Sequence, residues 1–116
     1  MSKEFDRYAA AVGYPVEHWS DHSCSCGNER MHLYSDDIEG GAFTVCPKCG
    51  QERDLFQSKQ FSRNVVQNTC TCDSEEFVVS TGQAFYQGTA DPRWTYIAAT
   101  CPKCGLAGVY VDWQER

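Results

Sequence analysis

The sequence predicts a small, mostly-β, metal-stabilised protein built from two tandem units behind a short N-terminal helix. Three observations point there. The chain has 116 residues, enough for one domain or two very small ones. Eight of them are cysteines, spaced as four close pairs. The pairs also repeat: Cys24-Ser25-Cys26 leads to Cys46-Pro47-Lys48-Cys49-Gly50, and Cys70-Thr71-Cys72 leads to Cys101-Pro102-Lys103-Cys104-Gly105. One supersecondary unit has been used twice, with the difference in length absorbed in the middle.

Taken in order, residues 1–20 read as a helix and its extension. Phe5, Tyr8, Ala9 and Val12 recur at helical spacing, Ser2 can cap the start, and Gly13 with Pro15 ends it. The apolar face, continued by Tyr14, Val16 and Trp19, suits packing across both units as a lid or presentation to a partner. The first unit spans 21–58, with strands at 30–34 and 42–46 around a turn-rich 35–41, and 53–56 extends the sheet. Residues 59–69, with Lys59 and Arg63 and no acid, connect to the second unit at 70–116. Its strands are expected at 76–81, 83–86, 93–99 and 108–113, the last alternating through Val109, Val111 and Trp113. Each unit is too small to bury much alone, so the two are expected to pack together.

The cysteine spacing fits metal ligation. The N-terminus mixes both signs of charge and no apolar stretch follows it, so a reducing, cytoplasmic setting is expected, where close thiols serve more often as ligands than as disulfides. Tetrahedral zinc takes four ligands at about 2.3 Å for sulfur. In Cys-Pro-Lys-Cys-Gly the proline fixes one angle of a turn and the glycine supplies a positive φ, so that main-chain N–H groups can face the thiolates. In Cys-X-Cys, residues i and i+2 of an extended segment share a face. Two Zn2+ ions are expected, one on Cys24, Cys26, Cys46 and Cys49, the other on Cys70, Cys72, Cys101 and Cys104. An intertwined pairing of Cys24 and Cys26 with Cys101 and Cys104 is the alternative, but sequential pairing closes shorter loops. Disulfides and a redox-active Cys-X-X-Cys are competing readings, and His18 or His22 could replace a thiol.

These runs resemble the zinc-ribbon family, in which two cysteine knuckles at the ends of a β-hairpin share one zinc. The resemblance covers Cys24 to about Phe56 and Cys70 to about Trp113, and implies tandem zinc ribbons with rubredoxin-like knuckles. The opening Cys-X-Cys pairs depart from the commoner Cys-X-X-Cys. Asp36-Asp37 followed by Phe43-Thr44-Val45-Cys46 is also similar to the transcript-cleavage-factor ribbon, whose acidic pair reaches into RNA polymerase; a solvated acidic turn is the plainer reading.

Function is less constrained. Lys plus Arg number 10 and Asp plus Glu 16, a net charge of −6, so the chain has no global basic field for a polyanion. Two four-thiolate zinc sites would deepen that to about −10. Residues 1–58 carry five basic and ten acidic groups, residues 59–116 five and six, so the first half is the more acidic. No stretch reaches the roughly 18 apolar residues of a membrane helix. No His-Glu-X-X-His run or deaminase signature is present, and Ser20-Asp21-His22 is a triad only by adjacency. Four-cysteine sites are closed to water. The expectation is a non-enzymatic protein that binds another protein, an immunity- or antitoxin-like inhibitor of a basic toxin domain being one form of that role. No small-molecule substrate is expected. The alternatives are a nucleic-acid or transcription-machinery module, using a strip of Lys59, Arg63, Arg93, Trp94 and Tyr96, and a thiol redox protein.

Overall fold

The computed structural model describes residues 3–115, so the capping role expected of Ser2 lies outside the described residues. It contains helix α1 (Lys3–Val12) and strands β1 (Trp19–Asp21), β2 (His32–Asp36), β3 (Gly41–Val45), β4 (Glu52–Asp54), β5 (Val66–Gln67), β6 (Val78–Phe85), β7 (Pro92–Thr100) and β8 (Ala107–Gln114). A single 3-10 turn, Lys59–Phe61, precedes β5. Two antiparallel four-stranded sheets result, ordered β4-β3-β2-β5 and β1-β6-β7-β8. The protein is small and mostly β, as its sequence predicts.

The repeat is visible in the register. His32 faces Val45 as Val78 faces Thr100, and Phe43 faces Asp54 as Ala98 faces Val109. Each three-stranded unit, β2-β3-β4 or β6-β7-β8, is therefore the other in a different sequence. The fourth strands are exchanged. β1 immediately precedes the first cysteine pair yet pairs with β6 of the second unit, while β5 precedes the third pair and joins β2 of the first. Their registers match as well, with Ser20 opposite Thr81 and Val66 opposite Ser35. At the centre Met31 and Phe77, which hold equivalent positions in the two repeats, donate their N–H groups to each other's carbonyls, both at 2.8 Å. A reciprocal bond between equivalent residues marks a pseudo-two-fold axis.

The core lies around that axis. Met31, Leu33, Ala42 and Leu55 from one unit pack with Phe77, Val79, Ile97, Ala99, Val111 and Trp113 from the other, together with the buried thiols Cys24, Cys46, Cys70 and Cys101. Neither set is large enough to hold a sheet by itself; joined, they form one contiguous apolar volume.

Helix α1 does not lie across both units. It covers the outer face of the second sheet, where Phe5 and Ala9 meet Trp19, Tyr96 and Ala98. Hydrogen bonds tie down the helix, Tyr8 Oη to Asp112 (2.8 Å) and Trp19 Nε1 to Asp6 (2.9 Å), and the segment after it, Tyr96 Oη to the Tyr14 carbonyl (2.8 Å). β6 runs unbroken through Gly82, where two shorter strands are expected from sequence. Glycine is required there by close approach: a Cβ at 82 would come within 2.7 Å of the Trp19 indole and 2.8 Å of Val16. Gly82→Ala is therefore expected to cost about 1–3 kcal/mol by overpacking the seat of Trp19. Gly108→Ala, with open space around it, should leave the thermal midpoint nearly unchanged, and thermal unfolding of the two variants checks the contrast.

Candidate metal centres

Each unit brings its two cysteine pairs together at one end of its hairpin. The closing knuckles are built alike. Cys46 donates its N–H to the Gln51 carbonyl and accepts from Gly50; Cys101 donates to Leu106 and accepts from Gly105, all at 2.8–2.9 Å. Gly50 and Gly105 have φ of 76° and 82°, the left-handed turn that redirects the chain into β4 and β8.

The opening pairs are not extended, as the sequence expectation had them, but turned. Gly27 N–H bonds the Cys24 carbonyl (2.9 Å) and Cys24 N–H the Asn28 carbonyl (2.8 Å); Asp73 and Cys70 repeat the arrangement with the Ser74 carbonyl. The fourth residue of the turn is left-handed in both, Gly27 at 92° and Asp73 at 72°. A tight turn with one residue fewer than Cys-X-X-Cys still presents both sulfurs on its concave side, and aspartate is among the few side chains that tolerate this backbone.

The eight sulfurs form two groups of four, Cys24, Cys26, Cys46 and Cys49, and Cys70, Cys72, Cys101 and Cys104, with all sulfurs in a group within 4.8 Å of one another. Pairing is thus sequential rather than intertwined. The nearest pairs, Cys24 with Cys49 at 3.4 Å, Cys26 with Cys46 at 3.6 Å, and Cys70 with Cys104 and Cys72 with Cys101 at 3.5 Å, stand far beyond a disulfide bond of about 2.05 Å. They come close to the roughly 3.8 Å edge of a sulfur tetrahedron around an ion with 2.3 Å bonds. Either group could hold one metal ion.

Main-chain N–H groups favour the thiolate form of the first cysteine in each knuckle, whereas at Cys49 and Cys104 the N–H groups of Gln51 and Leu106 are outweighed by the neighbouring sulfurs and burial and the thiols are pushed up to about 12. The N–H of Cys49, with Asn28 and the N–H of Lys48, outweighs burial and brings the Cys46 thiol down to about 6. At Cys101 burial raises the value, but the N–H groups of Cys104 and Lys103 prevail and the thiol again falls to about 6. Asn28 Nδ2 also lies 3.5 Å from Cys46 Sγ, a side-chain donor to the first group. Tyr110, half-buried and packed edge-on against Phe77, lies beside the second group; burial first, then the charges of Cys70, Cys101 and Cys104, raise its phenol.

Other residues singled out by sequence fall elsewhere. His22 Nε2 meets Thr81 Oγ1 at 2.7 Å and belongs to neither sulfur group; burial, then Arg53, holds its imidazole below the usual value. Ser20, Asp21 and His22 form no triad, because they alternate across β1 and the Asp21 carboxylate accepts from Ser80 (2.5 Å). Asp36 is turned inwards, 2% exposed, and accepts from the N–H groups of Ile38, Glu39 and Asn64 at 2.9–3.1 Å. It shapes the hairpin turn instead of projecting from it. Nor does the basic and aromatic strip assemble: Tyr96 is fully buried, Lys59 pairs with Glu52 over Phe43, and Arg93 lies on Tyr14 and Tyr86. None of the described helices is long and apolar enough to cross a membrane.

No family model, curated protein or solved structure matches the chain.

Two outcomes follow for the centres. Because the strands are exchanged, Cys104→Ser should lower the stability of the whole molecule, with loss of signal from both units in one transition by near-ultraviolet circular dichroism. Persistence of an intact first unit would contradict it. Cys46 and Cys101 come down to about 6 while Cys49 and Cys104 are pushed up to about 12, so metal must displace protons even near neutrality, and metal affinity is expected to fall progressively as pH drops from 8, most steeply below about 6. Metal release to a chromophoric chelator across pH 8 to 4 measures this.

Proposed function

We propose that the chain is a zinc-stapled, non-catalytic module of tandem zinc-ribbon type that works by binding another protein through its acidic surface. The observation that carries this reading is the pair of four-sulfur groups. Four thiolates complete the coordination shell of a zinc ion and leave no position for water or substrate, so each ion would serve the fold and not a reaction. Soft, all-sulfur tetrahedral sets select zinc or iron among the common metals, and zinc holds a structural role without redox cycling.

The binding role is supported by what the scaffold displays. Most carboxylates are exposed, and the described residues contain only two ion pairs, Arg7–Glu4 and Lys59–Glu52. The net charge of −6, with two Zn(Cys)4 centres, would give an acidic field that attracts and orients a basic partner. An immunity-type inhibitor covering a basic toxin surface fits this chemistry. A nucleic-acid role draws less support, since the residues expected to form a basic strip are dispersed or engaged.

Two measurements test the proposal. Elemental analysis of the reduced, purified protein should find two zinc ions per chain in a colourless sample; folded, metal-free protein or a coloured iron form would overturn the zinc assignment. A partner isolated from the native source, then purified, should bind with an affinity that weakens as salt rises. Tight, salt-steep binding to single- or double-stranded nucleic acid in place of protein would overturn the role.

A further inference from the structure

We infer that the free edge of β1 and the aromatic groove beside it dock an extended, basic peptide segment of a partner protein, which adds to the sheet as a fifth strand. This names the surface for the protein-binding role proposed above and rests on that reading.

The edge comes first. β1 is the terminal strand of its sheet. His22 donates its N–H to the Val79 carbonyl at 2.8 Å, and the alternation of an antiparallel ladder then turns the N–H and C=O groups of Trp19 and Asp21 away from β6. Those main-chain groups take no partner among the described residues, and Ser20 and Asp21 are exposed. No lysine, proline or bulge blunts the strand. Such an edge is a template for another strand, with main-chain bonds supplying affinity and neighbouring pockets supplying specificity.

The pockets are present. On the inner face of β1 and β6, His18, Ser20, Thr81 and Gln83 floor a cavity of about 330 Å3 walled by Phe56 and Phe85. A second concavity of about 470 Å3 continues past His18 and Phe85 to Tyr86. Phe56, Phe85 and Tyr86 are 44%, 48% and 47% exposed, so three of the large apolar side chains left in solvent converge on one groove. Phe56 is held there by a left-handed backbone, φ 57°, followed by Gln57 at the same angle. A bulky residue adopts that conformation at a cost, which fits a side chain positioned for contact.

Charge selects the occupant. Asp21 and Glu29 line a smaller cavity of about 190 Å3 at the other end of β1, and Glu17 stands in the wall of the second concavity. No cation pairs with any of the three among the described residues. An added strand that seats an apolar side chain between Phe56 and Phe85 brings the next few residues over Asp21 and Glu29, where lysine or arginine satisfies them.

The experiment uses the zinc-loaded full chain, panned against a display library of random peptides. Enriched sequences should pair an aromatic or large aliphatic residue with Lys or Arg within a few positions. A synthetic peptide of that kind should bind with micromolar Kd and weaken about tenfold or more against Phe56→Ala and Phe85→Ala. It should also weaken against Asp21→Pro, which removes one outward N–H where an edge strand tolerates proline. If Asp21→Pro fails to retain zinc, amide shifts at residues 18–22 on titrating peptide into the unmodified protein decide the same point, and unmoved amides overturn the edge. Absence of any enriched family, or equal binding to the Phe56 and Phe85 variants, overturns the site. A purified protein partner that binds both of these variants at full strength overturns it too, while leaving the chain a protein binder.

Discussion

A three-stranded sheet with one knuckled end has too little apolar surface to hold itself together, and every larger feature of this molecule follows from how that constraint is met. Each repeat hands its leading strand to the other. β1 completes the sheet of the second unit and β5 that of the first, and the chain crosses between them at the reciprocal bonds of Met31 and Phe77. Exchange joins two small cores into one, with Leu33 and Ala42 packed in the same volume as Val79, Ile97 and Val111. It also ties each cysteine group to both sheets, since the segment entering each opening pair comes from the neighbouring unit's edge.

The sulfur groups sit where the exchange leaves the chain most in need of a staple. Between Asp21 and Met31 the backbone departs from β6, makes its tight turn and returns three positions further on, opposite Phe77 where Asp21 had faced Ser80. Such an excursion has few main-chain bonds of its own, and Cys24 and Cys26 anchor it to the closing knuckle at Cys46 and Cys49. Placing four thiolates together is costly without a cation, and the N–H groups that depress Cys46 and Cys101 offset part of that cost before any metal arrives. Sheets, turns and sulfur groups are thus mutually dependent, which is why a fold so small can dispense with a large core.

Much of this was legible in the sequence, and the parts that were not have physical reasons. The cysteine repeat gave the number of units, the sulfur groups and most strands, because ligand spacing and turn residues are local signals. The helix was legible from Phe5, Tyr8, Ala9 and Val12. The exchange was not, because strand partnership is non-local: Trp19-Ser20-Asp21 has neither β-branched residues nor a run of alternation, and Val66-Gln67 is two residues long. Gly82 misled for a related reason, since a glycine that breaks a strand and one that seats an indole look identical until Trp19 is placed on it. In sequence Asp36 has the look of a surface charge, as acids in turns usually are; its burial depends on Asn64, 28 positions away, arriving beside the turn. The repeat itself carries one further signal: residues before each cysteine pair occupy equivalent repeat positions and so should have equivalent structural roles.

Pseudo-symmetry also supplies an internal comparison of the two sheets' outer faces and edges. The outer face of the second sheet is covered by the ten-residue helix α1, whereas the segment leading into β5 holds only a single turn at Lys59–Phe61. The two terminal strands differ more. At β5 the residue equivalent to Trp19 is Val65, the neighbouring Asn64 N–H is consumed by Asp36, and the position matching His22 is Asn68, whose amide bonds Ser35 as His22 bonds Thr81. At β1 the same scaffold has Phe56 and Phe85 as walls, a longer hairpin bringing Tyr86 alongside, and acids without a cation partner among the described residues towards both ends. The divergence between the two edges is concentrated where solvent, not the core, would otherwise be the neighbour.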